Sequence, residues 1–173
     1  MSRIAIPAIA SATGATAEVY GQVKKAIGSI PNLFAAVGAL APEVLKTYLA
    51  AEGVLAAGTL SKRDLETVKL LHSELTGCDY CVAAHTMLGK MTGLSPETLK
   101  LIRAGQPTGD AKRDALVHFV KNLQQTSGTI SPAEFAAIKA AGYTDAQIVE
   151  ITLAIALTVF TNYFNRINDT DLD

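Results

Sequence analysis

The sequence predicts an all-α protein, a bundle of about eight helices in a single domain that spans residues 1–173. Apolar residues recur at spacings of three and four along most of the chain. Gly and Pro interrupt these runs at intervals typical of helix ends, and no run alternates as a half-buried strand would. A length of 173 residues fits one domain.

The first half of the chain begins with an extended N-terminal arm over residues 1–15. Asn32 is the expected cap of a short helix, and Pro42 can begin the next one. Ser61 caps a further helix, with Asp64 completing an S-x-x-D box. From these signals we predict helices over residues 17–27, 32–37, 42–56 and from Ser61 to Gly77.

The second half shows the same agreement between caps and apolar spacing. Two Ser-Pro pairs and one Thr-x-x-Gln capping box mark helix starts. We predict helices from the CDYC segment to about Met91, Ser95 to near Gly105, Asp110 to Gln125, Ser131 to Gly142, and Thr144 to about Asn168.

The helix that begins at Ser61 leads into the segment 61–92, on which the functional prediction depends. We expect Leu65, Val68, Leu71 and Leu75 to face a core, with Glu66 on an adjoining face.

Both cysteines of the protein lie in this segment at CxxC spacing, and a histidine follows one turn later. Gly77 ends the preceding helix, so Cys78 should open a new one. Residues three, four and seven apart share a helix face, which would place Cys78, Cys81 and His85 together. A helix N-terminus and a nearby imidazolium both favour thiolate over thiol.

The pattern Glu-x11-Cys-x-Tyr-Cys-x3-His resembles the signature of the alkylhydroperoxidase AhpD and carboxymuconolactone decarboxylase superfamily. The matching residues are Glu66, Cys78, Tyr80, Cys81 and His85. The paired cysteines place the resemblance in the redox branch. It implies an AhpD-like helical fold and a homo-oligomer, trimeric or hexameric, with sites near subunit interfaces.

The resemblance also implies roles for the matched residues. Glu66 and His85 would form a proton relay that serves the thiols. Tyr80 stands where some members have His, and a Tyr hydroxyl donates hydrogen bonds but is a poor base near neutral pH. Glu74 lies nearer to Cys78 in sequence, but the x11 spacing favours Glu66, and Glu74 is interpreted as solvent-facing or supporting.

Other interpretations of these residues remain open. The cysteines could be small core residues, or could bind zinc with His85 and a fourth ligand, Glu66 or water. No second CxxC or HxxxH accompanies them, which favours redox chemistry without a metal. His72 and His118 are interpreted as ordinary helix positions. Three polar residues late in the last helix are interpreted either as lining a site or interface or as helix-end solvation: Asn162, Tyr163 and Asn165.

Composition narrows the classes of partner. A net charge of −1 with no basic run excludes an electrostatic case for nucleic acid. The longest apolar stretch, Ile151 to Phe160, is too short to span a membrane, and the N-terminal apolar run is broken by Pro7, so we predict a cytoplasmic protein. With 49% hydrophobic and 18% charged residues, the chain has apolar surface that subunit contacts could bury.

These observations predict a thiol-dependent peroxidase or disulfide oxidoreductase that needs no cofactor. A hydroperoxide would oxidise the CxxC dithiol to a disulfide, and an external thiol or dithiol would reduce it again. His85 suggests Cys81 as the thiol it deprotonates, whereas the helix terminus favours Cys78, so the order of attack is open. The alternatives are an acid–base enzyme of the decarboxylase type that uses Glu66 and His85, and a non-catalytic redox sensor.

Overall fold

The computed structural model describes residues 1–173 and contains nine α-helices and no β-strand, which confirms the predicted all-α fold. A 3₁₀ helix, Ile9–Ser11, lies within the N-terminal arm. The α-helices are α1 (Gly14–Ile27), α2 (Asn32–Leu40), α3 (Pro42–Ala56), α4 (Lys62–Thr76), α5 (Asp79–Met91), α6 (Pro96–Ala104), α7 (Ala111–Thr126), α8 (Pro132–Ala140) and α9 (Asp145–Asn168).

Most helix starts follow the predicted caps. The side chains of Ser61, Ser95 and Thr144 each accept a hydrogen bond from the backbone N–H three residues later. Complete capping boxes form at Ser131 and Thr144, where the side chains of Glu134 and Gln147 accept a hydrogen bond from the backbone N–H of the cap residue. Local chemistry therefore explains where these helices begin.

The N-terminal third differs from the prediction in two places. The α1 helix already starts at Gly14, inside the predicted arm, and α2 continues to Leu40 rather than ending near residue 37. Asn32 does not cap α2, because Pro31 occupies the cap position and Asn32 is the first helical residue. Its side-chain amide instead donates to the carbonyl oxygens of Asp171 and Leu172 in the C-terminal tail.

Helix α4 lies at the centre of the bundle and packs against α5, α6, α7 and α9. Leu65, Val68 and Leu71 are buried as predicted. Leu75 is 41% exposed, so its predicted core position is wrong. In that last turn the buried side of α4 is formed by His72 and Ser73 instead.

Two separate apolar clusters fill the molecule. The large cluster has 18 buried residues, drawn mainly from α4, α6, α7 and α9, with Leu70, Ile102, Leu116 and Ile151 fully buried within it. The smaller one, here called the cysteine cluster, joins α1, α2 and α3 to the start of α5. Its nine buried residues are Val19, Tyr20, Val23, Leu33, Val37, Leu45, Cys78, Tyr80 and Cys81.

Helix α9 is longer than the apolar stretch within it. By length and composition alone it could span a membrane, which differs from the expectation drawn from the ten residues Ile151 to Phe160. In this fold it packs along α3, α4 and α5. Its buried face is polar towards the C-terminal end, where Thr158, Asn162 and Asn165 point into the bundle.

Candidate functional site

Cys78 occupies the N-cap of α5, directly after the left-handed residue that ends α4. Gly77 has φ of 68°, a conformation that favours glycine, and the N–H of Cys78 closes the turn on the carbonyl of Ser73. The Cys78 sulfur accepts a hydrogen bond from the backbone N–H of Cys81 over 3.4 Å. The turn therefore places a sulfur where helix caps usually have a hydroxyl or carboxylate oxygen.

Both thiols are free and buried, with exposures of 1% for Cys78 and 3% for Cys81. A hydrogen bond from the Cys81 thiol lowers the pKa of Cys78, and the backbone N–H of Cys81 and the charge of Arg166 act in the same direction. The hydrogen bond to Cys78, followed by burial, raises the pKa of Cys81. Within the pair, Cys78 is therefore the thiol that loses its proton more readily.

Glu66 and His85 form a buried pair between α4 and α5. The Oε2 atom of Glu66 lies 2.9 Å from Nδ1 of His85, and the side chains are only 12% and 14% exposed. His85 forms no hydrogen bond with Cys81, although it follows that residue by one helical turn. Glu74 lies elsewhere and pairs with Arg103 over 2.7 Å in a largely exposed position.

Tyr80 lies between the cysteines in sequence, but its hydroxyl is bonded away from them. It donates to Oδ2 of Asp173 over 2.7 Å and accepts from the backbone N–H of Leu33 over 3.3 Å. Burial, followed by the bond to Asp173, raises the pKa of Tyr80. The hydroxyl therefore joins α5 to α2 and the C-terminal tail, while the ring packs in the cysteine cluster.

Helix α9 contributes a contact to the thiols that the motif does not contain. Nδ2 of Asn165 donates to the sulfur of Cys81 over 3.2 Å. Asn162, one turn earlier, accepts from Ser73 and donates to Thr76 of α4. Tyr163 is exposed. In the sequence, only the presence of these two asparagines in an otherwise apolar helix pointed to this contact. That pattern could not distinguish residues that line a site from polar residues solvated at a helix end.

Helix α3 contributes a second group that sequence reasoning missed. Burial, followed by the charge of Glu52, raises the pKa of Tyr48 well above its ordinary value, and Cys81 and Glu66 act on it in the same direction. Glu52 in turn forms an ion pair with the buried Lys69 of α4. The neutral Tyr48 hydroxyl is therefore a hydrogen-bond donor directed to Glu52, close enough to Cys81 and Glu66 for their charges to act on it.

Two cavities border these groups. A polar cavity of about 200 Å³ is lined by Cys78 and by residues of α9 and the tail that follows it, among them Asn165, Arg166 and Asp169. An open apolar cleft of about 380 Å³ lies between α3 and α9 and is lined by Glu43, Val44, Thr47, Tyr48, Leu157 and Phe160.

Metal binding was one alternative for this motif. No group of three or more His, Cys, Asp or Glu side chains is arranged to hold a metal ion. One ring nitrogen of His85, Nδ1, is bonded to Glu66. The arrangement offers an acidic thiol, a protonated partner thiol and a carboxylate–imidazole pair.

Comparison with known proteins finds one family model that matches part of the chain and several solved structures of similar fold. Residues 42–121 match the carboxymuconolactone decarboxylase family. No curated protein sequence matches the chain. Several solved structures share its fold, and they include the following three.

The first is an uncharacterized peroxidase-related protein from Ralstonia eutropha JMP134, described as an alkylhydroperoxidase AhpD core. Its TM-score is 0.86 at 21% identity, covering 99% of this chain and 92% of that chain. A peroxidase-related protein from Silicibacter sp. TM1040 gives 0.82 at 19% identity, with coverage of 99% and 92%. A debrominase in complex with 2,3,4-tribromopyrrole gives 0.77 at 14% identity, with coverage of 100% and 94%.

Proposed function

We propose that this chain, whose residues 42–121 match the carboxymuconolactone decarboxylase family and whose fold is AhpD-like, is a thiol-dependent peroxidase and disulfide oxidoreductase. The observation that carries the proposal is the contact between two free, buried thiols at the N-terminus of α5. The Cys78 sulfur lies at the N-terminus of α5 and accepts the backbone N–H of Cys81, an environment that favours thiolate over thiol.

The first half of the cycle oxidises the thiols. The thiolate of Cys78 attacks one peroxide oxygen, an S–O bond forms as the O–O bond breaks, and the departing alkoxide takes a proton from solvent. Cys81 then attacks the sulfur of the sulfenic acid. An S–S bond forms, and hydroxide leaves as water after taking the Cys81 proton.

Glu66 and His85 have a role in that second step. In the free dithiol the bond to Cys78, followed by burial, raises the pKa of Cys81, and the burial persists once Cys78 is a sulfenic acid, so the attack of Cys81 requires a base. His85 lies one turn away, and the carboxylate of Glu66 orients its ring and stabilises the imidazolium. An external thiol or dithiol then restores both thiols.

The test is peroxide consumption in the presence of dithiothreitol, using hydrogen peroxide and an alkyl hydroperoxide as probes. We expect wild type to turn over and both Cys78→Ser and Cys81→Ser to lose sustained activity. Alkylation and intact mass should show one intramolecular disulfide in oxidised wild type. Met91→Leu is the control, because exposed Met91 could consume peroxide without catalysis.

Two other outcomes would reject the proposal. Two free thiols that survive stoichiometric peroxide would exclude the dithiol cycle. A disulfide that forms without turnover, but with a changed oligomer size, would indicate a redox sensor instead.

A second candidate is an acid–base enzyme that uses Glu66 and His85 and does not need the thiols. The buried carboxylate–imidazole pair favours it, as does the open apolar cleft that Tyr48 borders. Full activity of a Cys78→Ser/Cys81→Ser double variant on an organic substrate would support this candidate. A debrominase shares the fold, so halogenated aromatic rings belong among the substrates screened.

We also propose that the protein is a cytoplasmic homo-oligomer, a trimer or hexamer. Large apolar side chains are exposed on α9 at Val149 and Ile167 and on α3 at Val54, and association would bury them. Light scattering at micromolar concentration, with and without reductant, should give the same oligomeric mass. A monomeric mass under reducing conditions would reject this proposal.

A further inference from the structure

Asn165 contacts one of the two reacting sulfurs. Its Nδ2 donates to Sγ of Cys81 over 3.2 Å, and the side chain is buried. Its other polar atom, Oδ1, is also buried and has no hydrogen-bond partner. A buried amide that served only to join helices would be expected to satisfy both of its ends. The one hydrogen bond that the Asn165 side chain makes within the protein goes to Cys81, and the amide lies close enough to Cys78 to lower the pKa of that thiol as well.

Asn162 shows what a purely structural asparagine looks like on the same helix. It lies one turn before Asn165 and is fully buried. It accepts a hydrogen bond from Ser73 over 3.3 Å and donates one to Thr76 over 2.6 Å. Both ends of its amide are bonded to α4, so this residue joins α9 to α4 and does not contact either cysteine.

The cavities indicate which sulfur an external thiol would attack. Cys78 lines the polar cavity of about 200 Å³, and Cys81 does not. Attack by a reductant that enters this cavity therefore falls on Cys78, and Cys81 becomes the leaving group. In the free dithiol the bond to Cys78, followed by burial, raises the pKa of Cys81. The burial remains when Cys78 is held in a mixed disulfide, so the departing Cys81 thiolate needs a hydrogen-bond donor that stabilises the anion.

We propose that Asn165 stabilises the Cys81 thiolate as the leaving group when an external thiol reduces the Cys78–Cys81 disulfide. The inference rests on the proposed thiol cycle. The reductant's thiolate attacks Sγ of Cys78 and forms a mixed disulfide. The Cys78–Cys81 bond breaks, and its electron pair becomes the Cys81 thiolate, towards which the N–H of Asn165 is directed.

The reduction is completed by the second thiol of the reductant. It attacks the mixed disulfide and releases the oxidised reductant and the Cys78 thiolate. One proton from the two reductant thiols ends on Cys81, and the other is released. The reaction consumes one dithiol for each disulfide and requires no other redox partner.

Other titratable groups surround Cys81 and must be held constant in a test. Three of them lie in α5 or at its N-cap, one lies in α3 and one in α4. The sixth is a cation of α9 that acts on the sulfur of Cys78. They are Cys78, Tyr80, His85, Tyr48, Glu66 and Arg166. A change confined to Asn165 leaves all of these groups in place.

Asn165→Leu tests the proposal, because leucine has a similar branched shape and no donor. We expect the rate at which dithiothreitol reduces the disulfide at pH 7 to fall by about 10- to 100-fold, the range that one hydrogen bond to a charged group supplies. In a Cys78→Ser background, the pH midpoint for alkylation of Cys81 should rise. Asn165→Asp, which presents an acceptor to the sulfur, should raise that midpoint further.

Asn162→Leu is the matched control. It removes a buried amide from the same helix face without touching a cysteine, so it should lower thermal stability and leave the alkylation midpoint unchanged. If Asn165→Leu and Asn165→Asp leave the midpoint unchanged, or if Asn162→Leu moves it equally, the proposal is wrong. These measurements use no peroxide, so they separate this inference from the peroxidase activity itself.

Discussion

The large cluster and the cysteine cluster differ in the part that directed hydrogen bonds play beside apolar packing. His72 faces the bundle from α4, one turn after Val68 of the large cluster, and neither of its ring nitrogens has a hydrogen-bond partner. In the cysteine cluster, by contrast, the hydroxyl of Tyr80 bonds to Leu33 and Asp173, and the sulfur of Cys81 accepts from Asn165.

This difference separates stability from chemistry within one small fold. The large cluster is stabilised mainly by apolar burial, which is not a directional interaction. It can therefore contain a polar group without a hydrogen-bond partner, although this lowers the free energy of unfolding. The cysteine cluster is held by directed bonds that fix particular atoms. Changes in the two regions should therefore have different signatures, with activity affected in one and stability in the other.

The largest expected effect belongs to the Glu66–His85 pair, which lies beside the cysteine cluster. We expect His85→Ala and Glu66→Gln each to slow peroxide turnover by about 10²–10⁴-fold, the usual contribution of a positioned acid–base group. Each change also leaves a largely buried partner without its hydrogen bond, so we expect thermal stability to fall as well, and turnover is compared at a temperature at which both variants are folded. Steady-state kinetics with dithiothreitol as reductant measures the effect.

Glu74→Gln is the control for that prediction. Glu74 lies on the same helix and forms an exposed pair with Arg103, so its loss should have little effect on either turnover or stability. If Glu74→Gln damages turnover more than Glu66→Gln does, the role assigned to Glu66 is wrong.

The next effect is on stability alone and belongs to the large cluster. Leu70 is fully buried there, and Leu70→Ala should reduce the free energy of unfolding by about 2–5 kcal/mol through lost burial and the cavity left behind. The alkylation rates of Cys78 and Cys81 in the folded protein should not change. Denaturant unfolding and thiol alkylation measure the two quantities, and a large change in thiol reactivity would show that the clusters are not separable.

The same contrast explains how much of the molecule the sequence could predict. The large cluster follows from helical spacing, since Leu65, Val68 and Leu71 lie on one face of α4 as expected. The capping boxes at Ser131 and Thr144 were likewise predictable, because each is made within four residues. Leu75 was wrong because spacing alone does not tell where a helix leaves the core.

The remaining contacts of the candidate site could not be predicted in this way. Asn165 lies 84 positions from Cys81, and Asp173 lies 93 positions from Tyr80. Tyr48 reaches the site from α3 through packing. No local pattern specifies such pairs, because the distance between them is set by how α3, α5 and α9 pack.

The smallest effect depends on pH and tests the unpartnered histidine. Burial lowers the pKa of His72 below its ordinary value of 6.5, so the folded protein holds this ring neutral. The unfolded chain takes up a proton more readily. Stability from this residue is therefore complete above pH 6.5 and is lost as the pH falls through the folded pKa.

His72→Leu should remove this dependence. Near pH 8 the free energy of unfolding should be unchanged or slightly higher, because the variant loses two unsatisfied ring nitrogens and no hydrogen bond of the side chain. Between pH 7 and 5 its stability should fall less steeply than that of wild type. His118→Gln, on the exposed face of α7, controls for the loss of a histidine and should keep the wild-type slope. An unchanged slope in His72→Leu would mean that His72 is not held neutral by burial, and that the large cluster accommodates a charge as readily as the region around the cysteines does.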